Sequence, residues 1–534
     1  MEGIGKPSVT TPAAPRSHGA RPQRGLENVS SSLGVSGRFG RMFRNLPVFE
    51  QNEDDLLALA DTMVQELEKP IDKKLGVKDD DENPEIPAGY TYLGQFIDHD
   101  ITFDPVSSLQ RQSDPDGLVD FRTPRFDLDS IYGRGPADQP YLYADGLRFV
   151  LGNKVSQAPE RAGPDLPRNP FARAIIGDPR NDENLVVSQL HGLFLRFHNH
   201  VVDDVESRWS GPERQAGKDD IFKEAQRVVR WHYQWVVIHD FLPRILGGKL
   251  DGGQGAKIIE DILNLEHFKT GVDGKTGPMT VKTFRPRLLF YDLECPPFIP
   301  VEFSVAAYRF GHSMVRPSYF FNDFVREQIA GSRKDDEPFR TLIFSEDRRP
   351  ESLSNLNGFR PLPPEWGFQW KFFFETADRT DGMPQPSYKI DATLVNPLSL
   401  LPDKVADNDP PFSLARRNLL RGRALGLPCG ERVARAMGVE PLSPEELKVT
   451  QPSLIGNTPL WYYVLKEAEL LCSAHHLGPV GARIVAETFI GLLWGDPLSY
   501  LRVEPTWTPD LASVGVFGMP ELIAFTEDRA EHKG

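Results

Sequence analysis

Cysteine is nearly absent from this chain: Cys295, Cys429 and Cys472 are the three in 534 residues, with no CxxC spacing among them. So small and odd a set argues against a disulfide framework and is compatible with a reducing compartment. Long apolar runs are missing too. None approaches the ~18–20 residues that a membrane span needs, so no transmembrane segment is expected. Positive charge is in deficit, with 61 Lys+Arg against 76 Asp+Glu and a formal net charge of −15. That balance argues against nucleic acid or an anionic membrane as partner, because those footprints are basic. It identifies no substrate, since an acidic surface chiefly serves solubility. The first 35 residues lack the apolar centre of a secretory leader. Up to residue 45 the chain carries seven Lys/Arg against two acids, but its prolines break any amphipathic targeting helix. A disordered tail is therefore expected over 1–37. The location that follows is cytoplasmic, or exported without a standard leader.

What is plentiful is proline (47) and glycine (45), which call for many irregular connections. The length suits two to four average domains or one large one, and neither a composition shift nor an internal repeat divides residues 38–530. Helical periodicity recurs in LLALADTMVQELEKPID, YLGQFIDHDI, ENLVVSQLHGLFLRFHNHVVDDV, KEAQRVVRWHYQWVVIHDFLPRIL, PVEFSVAAYRFGHSMV, PLWYYVLKEAELLCSAHH and ARIVAETFIGLLW. KTFRPRLLFY is the best strand candidate, VKDDDENPEIPAG reads as a polar loop, and RFGRMFRNLPVF should pack back onto the body. The fold class expected is mainly α: a single large helical domain with long loops and little β. Loops near 103–125, 330–365 and 378–412 are long enough to suggest that they wrap a large buried group.

Four constellations carry chemistry. In GQFIDHD, a helix puts Gln95, Asp98 and His99 at i, i+3 and i+4 on one face and turns Asp100 away. In GDPRNDENLVVSQLHGLFLRFHNH, Arg180 and Glu183 stand three apart at the entry to an apolar helix. That helix carries His191, His198 and His200, whose spacing is not HExxH and whose apolar neighbours favour packing or capping roles over metal ligation. In SVAAYRFGHSMVRP, Val305, Tyr308, Arg309 and His312 fall at i, i+3, i+4 and i+7. His312 reads either as a core histidine or as the axial ligand of a flat ring that needs the clearance of Gly311. In TPRFDLDSIYG, Thr123, the Arg125 carbonyl, Asp127 and Asp129 alternate along an extended loop and offer the hard oxygens that Ca²⁺ prefers. Asp100 is free to complete such a cage. Taken singly, each has a plainer reading as a polar surface turn, a helix-start ion pair or an Asp-rich turn.

Together and in this order, the four motifs, with ARRNLLRGRALGLP behind them, resemble the animal-type haem peroxidases over about residues 38–525, in a leaderless member of prokaryotic type. The resemblance implies His99 as distal acid/base, Gln95 beside the peroxide and halide position, and Arg180 as the catalytic arginine. It implies His312 as proximal iron ligand, with Asn418 bonded to its imidazole and raising its basicity. Arg421 would hold a haem propionate and Arg309 belongs with the cofactor-binding residues. Asp98 and Glu183 match the carboxylates that become ester-linked to a b-type haem. Calcium would sit on Asp100, Thr123, Arg125 (backbone), Asp127 and Asp129. Two departures matter. Asn184 stands where the leukocyte halide oxidiser has the methionine of a third covalent link, and Asp129 stands where many relatives have serine.

The activity so implied is reduction of hydrogen peroxide, with oxidation of small organic donors or (pseudo)halides through a ferryl state. A neutral imidazole is needed, and its unperturbed pKa of about 6.5 predicts a rate that falls on the acid side between pH 5 and 8. One alternative is a fatty-acid dioxygenase or cyclooxygenase. Those relatives place a radical tyrosine three residues before the proximal histidine, where this chain has Arg309, with Tyr308 about a hundred degrees away. Another is a helical His-Asp phosphohydrolase built on His99-Asp100 and His239-Asp240; a third is a binding module without catalysis.

Overall fold

The computed structural model describes residues 37–48, 51–65, 79–102, 119–120, 122–155, 162–210, 216–247, 254–263, 285–293, 297–324, 341–347, 349, 352–378, 384–406, 410–511 and 516–528. The expected tail, Cys295 and most of the loop near 103–125 lie outside them. Helix α1 (Glu53–Thr62) starts on Asn52, whose side chain accepts the N–H of Asp55. Helix α2 (Gly89–Ile101) carries GQFIDHD and is buried on nearly every side. Helix α3 (Leu185–Arg208) is capped by Asn184, which accepts from Val187 N. It is the long apolar helix expected after Arg180. Helix α4 (Lys218–Val236) runs into a π-helical turn, Val237–Phe241. Later come α5 (Leu414–Ala424), α6 (Leu460–Leu471) and α7 (Pro479–Gly495).

Phe96 of α2 stacks on Phe194 of α3 with ring centroids 4.7 Å apart, and Tyr233 of α4 meets both rings edge-on. This aromatic contact fixes α2 at the centre of a core that runs through the whole unit Ser36–Gly534. The mainly α expectation holds. Strands are two to six residues long: β1 (Gly37–Gly40), β2 (Glu82–Pro87), β3 (Val119–Asp120), β4 (Ile299–Pro300), β5 (Ser318–Tyr319), β6 (Thr341–Leu342) and β7 (Pro386–Tyr388). They form the sheet β3-β1-β4 and the pairs β2-β7 and β5-β6.

Three local expectations change. The supposed loop 77–89 contains β2, which pairs antiparallel with β7 through an irregular register between Asn83 and Pro87. Prolines are tolerated there because the strand lies at an edge. The supposed strand 282–291 is not one in its described part. Its N–H groups at Leu289, Phe290 and Tyr291 all donate to the buried carboxylate of Glu487, which takes the place of a neighbouring strand. The helix expected around His312 is broken into an α turn (Val301–Ser304) and a 3-10 turn (Ala307–His312). The segment after Arg38 does pack back: Phe39, Met42 and Phe43 are buried, and Met42 N and Phe43 N donate to Glu302.

Candidate active site

His99 lies near the C-terminus of α2 with 5% of its surface exposed. Its Nδ1 is 2.8 Å from Asn181 Oδ1, and its Nε2 is 4.0 Å from Glu183 Oε1, beyond hydrogen-bond reach. One turn earlier, the Gln95 amide donates to Glu183 and accepts from Asn184 Nδ2 at 3.1 Å. Gln95 and His99 therefore share the face that their spacing predicted, and Glu183 approaches both. Asp98 accepts from Thr102 Oγ1 at 3.2 Å, and its charge acts on both Tyr308 and Arg309.

Arg180 sits in the 3-10 turn Pro179–Asp182, which begins on Asp178. Asp-Pro is a helix-start signal, because proline needs no N–H partner in a first turn. Asp178 accepts from Arg180 through both N–H and guanidinium. The same Nη2 donates to the carbonyls of His99 (3.0 Å) and Thr102, capping the open end of α2. The guanidinium is thus immobilised by the helix that carries His99. Burial, and secondarily the Arg180 charge, push the His99 imidazole down to about 4. It is neutral across the physiological range.

The turn that carries Arg180 is gripped from outside. Phe359 N and Gly358 N donate to the carbonyls of Asp182 and Glu183. A Cβ on Gly358 would lie 1.9 Å from Asp182 O, so this close approach requires glycine.

His312 ends the 3-10 turn Ala307–His312. In a 3-10 turn residues three apart align, which puts Arg309 and His312 on one face toward Asn418 of α5. Arg309 donates to Asn418 Oδ1, and Asn418 Nδ2 lies 2.8 Å from His312 Nδ1. Asn418 thus meets the His312 imidazole at Nδ1, the contact that the resemblance implied. Tyr308 points elsewhere, its hydroxyl donating to Gly94 O at 3.1 Å. Arg421, one turn after Asn418, shares this region. Burial, then the Arg421 charge, bring the Arg309 guanidinium down to about 10. Burial and Arg309 hold His312 at about 3.

Asp100, Asp127 and Asp129 bring a carboxylate oxygen each within 4.8 Å of one another. Asp100 accepts from Leu128 N at 3.2 Å and Ser130 Oγ at 3.4 Å, and Thr123 Oγ1 donates to Asp127. Of Arg125, the N–H bonds the Thr123 carbonyl. Leu128 is left-handed (φ 55) to make its contact, a cost of about 1 kcal/mol for a non-glycine residue. Burial and the neighbouring carboxylates drive Asp100 far above its ordinary range and Asp129 to about 7. Three crowded acids of this kind fit a hard divalent cation. Arg122 joins this cluster to the arginine site, pairing with Asp129 at 3.2 Å and Asp178 at 2.6 Å.

Asn181, Asp178, Arg122 and Gly358 escaped the sequence reading; of these, only Asp178-Pro179 left a legible signal. His198 bonds Tyr132 and the Leu147 carbonyl, and His200 lies 3.9 Å from Asp203. His191 bonds Asn181 at 3.0 Å. The two His-Asp pairs do not assemble: Asp240 binds Tyr90, Arg244 and Met519 N, and His239 binds Tyr500.

Solved structures define the fold class. Fatty-acid α-dioxygenase of Oryza sativa superposes with TM-score 0.54 at 15% identity, covering 90% of this chain and 77% of its own. Peroxidase A of Dictyostelium discoideum gives 0.50 at 16%, covering 88% of each. Both share the helical peroxidase–dioxygenase fold. Residues 112–362, a little under half of the chain, match the animal haem peroxidase family model. The matched stretch includes Arg180 and His312, and begins after His99. A peroxidase-like protein of Margaritifera margaritifera is 27% identical over 493 residues, 78% of this chain and 55% of that protein. Thyroid peroxidase of Sus scrofa is 28% identical over 46% of this chain and 24% of its own. The chain thus spans about half or less of the length of these relatives. Among the described residues, no helix is long and apolar enough to cross a membrane.

Proposed function

We propose that this chain is a peroxidase that reduces hydrogen peroxide and oxidises small organic donors or (pseudo)halides. The observation that carries the reading is a neutral, buried His99 beside a guanidinium locked to its own helix by Asp178 and the His99 carbonyl. The residues fit a haem. His312 offers a neutral imidazole, and the buried Arg309 with Arg421 nearby supplies the positive charge that propionates need. When bound, the haem supplies the redox chemistry of O–O cleavage.

The chain's own groups do the rest. His99 Nε2 takes the proton from one peroxide oxygen and returns it to the other, which leaves as water. Arg180 stabilises the negative charge that grows on the leaving oxygen, and its fixed position removes the cost of reorganisation. Asp98 and Glu183 are the carboxylates for ester links to the haem, and Asp100, Thr123, Arg125, Asp127 and Asp129 the calcium ligands. Asn184 here serves as helix cap and partner of Gln95, so no third link forms at that position.

His99→Ala should slow the Soret change on mixing with peroxide by roughly 10²–10⁴-fold while haem stays bound; unchanged stopped-flow kinetics would sink the assignment. The likeness in fold to fatty-acid α-dioxygenases supports a second reading, oxygenation of an unsaturated fatty acid. Arg309 at the radical-tyrosine position speaks against it, and oxygen uptake with such a substrate decides between the two.

A further inference from the structure

His191 lies wholly inside the apolar packing of α3, and its Nε2 has no hydrogen-bond partner among the described residues. A buried polar atom left unpaired costs free energy, and leucine or phenylalanine would pack this position without that cost. The other ring nitrogen accounts for a histidine here. His191 Nδ1 is 3.0 Å from Asn181 Nδ2, while Asn181 Oδ1 is 2.8 Å from His99 Nδ1. One buried amide therefore bridges two buried imidazoles.

An amide presents a carbonyl on one side and an N–H on the other, so its two partners must play opposite roles. The imidazole at the N–H accepts through Nδ1 and carries its proton on Nε2. The imidazole at the carbonyl donates through Nδ1–H and keeps Nε2 bare. We propose that His191 and Asn181 form a tautomer lock for His99: His191 sets the orientation of the Asn181 amide, and Asn181 holds the His99 proton on Nδ1, so that Nε2 is always ready to accept. Both are positioning residues, acting through His99. The inference rests on the peroxidase reading of His99. In that reaction the peroxide O–H bond breaks as a bond forms from its proton to Nε2, and the Nδ1 proton stays on His99, still donated to Asn181 Oδ1. Were the amide reversed, Nε2 would already hold a proton and the first transfer would be blocked. The second-nitrogen partner of a catalytic imidazole commonly selects the tautomer in this way.

Four variants of the full, haem-loaded chain test this: Asn181→Leu, His191→Leu, His191→Gln and His99→Ala. Gln at 191 keeps an acceptor oxygen for the Asn181 N–H, and Leu keeps only volume. The rate constant with hydrogen peroxide should fall about 10- to 100-fold in Asn181→Leu and His191→Leu and recover most of its value in His191→Gln. A packing role alone predicts the reverse order at position 191, with Leu at least as good as Gln. An independent readout is ¹⁵N-histidine NMR of the diamagnetic, carbon-monoxide-bound ferrous protein, with His99 assigned by its loss in His99→Ala. The wild type should show a protonated Nδ1 and a bare Nε2, and His191→Leu a mixture. A protonated Nε2 in the wild type, or wild-type rates in both Leu variants while His99→Ala is slow, overturns the lock and leaves the peroxidase reading standing. Unchanged rates in His99→Ala overturn the peroxidase reading itself.

Discussion

Acidification is the perturbation that most directly interrogates His99. Its imidazole moves from about 6.5 to about 4, chiefly because burial opposes charge and next because Arg180 stands beside it; Asp178, Asp98 and the Asn181 bond act in the other direction. A shift of that size corresponds to about 3 kcal/mol against protonation, at ~1.36 kcal/mol per unit. At pH 5 an imidazole with this value is still about 90% neutral, whereas an unperturbed one is almost wholly charged. The second-order rate of reaction with peroxide should therefore stay level from pH 8 to 5 and be half lost near pH 4. Stopped-flow absorbance after a rapid pH jump is the assay, because the fold itself weakens over this range. His191, His198, His232 and His239 are also depressed by burial, to between about 3 and 4. Their stabilising effect is complete above about pH 6.5 and is lost as pH falls through the folded values. Arg180→Gln removes the second cause, so its surviving rate should titrate at higher pH. A wild-type midpoint near 6.5, or a midpoint unmoved in Arg180→Gln, refutes the electrostatic account of the site.

Calcium should raise the melting temperature, by the equivalent of about 2.7 kcal/mol at a hundredfold excess over its dissociation constant, because it neutralises Asp100, Asp127 and Asp129. Asp100→Asn should abolish that gain, and a gain equal to wild type removes these residues as ligands. Haem should resist acid–butanone extraction, and release in Asp98→Ala or Glu183→Ala would identify the ester-forming carboxylates; full extraction from the wild type argues against the links. Gly358→Ala places a methyl group 1.9 Å from Asp182 O and should cost about 1–3 kcal/mol in urea unfolding. An unaffected midpoint would mean that the loop does not grip the arginine turn.

Most of the site residues were legible because their order encodes faces. On α2, an i, i+3, i+4 pattern is enough to place Gln95, Asp98 and His99 together and to send Asp100 toward Leu128 and Ser130. The reading failed where backbone N–H groups found partners that no periodicity announces. KTFRPRLLFY is the best strand candidate of the sequence, yet Glu487, some two hundred residues away, supplies the acceptor that a sheet would have supplied. The His312 segment has helical spacing but changes pitch, and it is in this tighter turn that Arg309 and His312 share Asn418.

Histidines on α3 illustrate the same limit from the opposite side. Apolar neighbours at Leu190, Leu193 and Phe194 correctly announce burial. Burial alone, however, does not distinguish His198, satisfied by Tyr132 and Leu147, from His191, satisfied on one nitrogen only among the described residues. What separates them is which atom lies across the gap, and that depends on Asn181, in a turn whose position is set by Asp178, Arg122 and the loop at Gly358. A sequence pattern orders residues within one element. The tautomer proposed for His99 rests on a contact between elements, through the end of one amide that faces it.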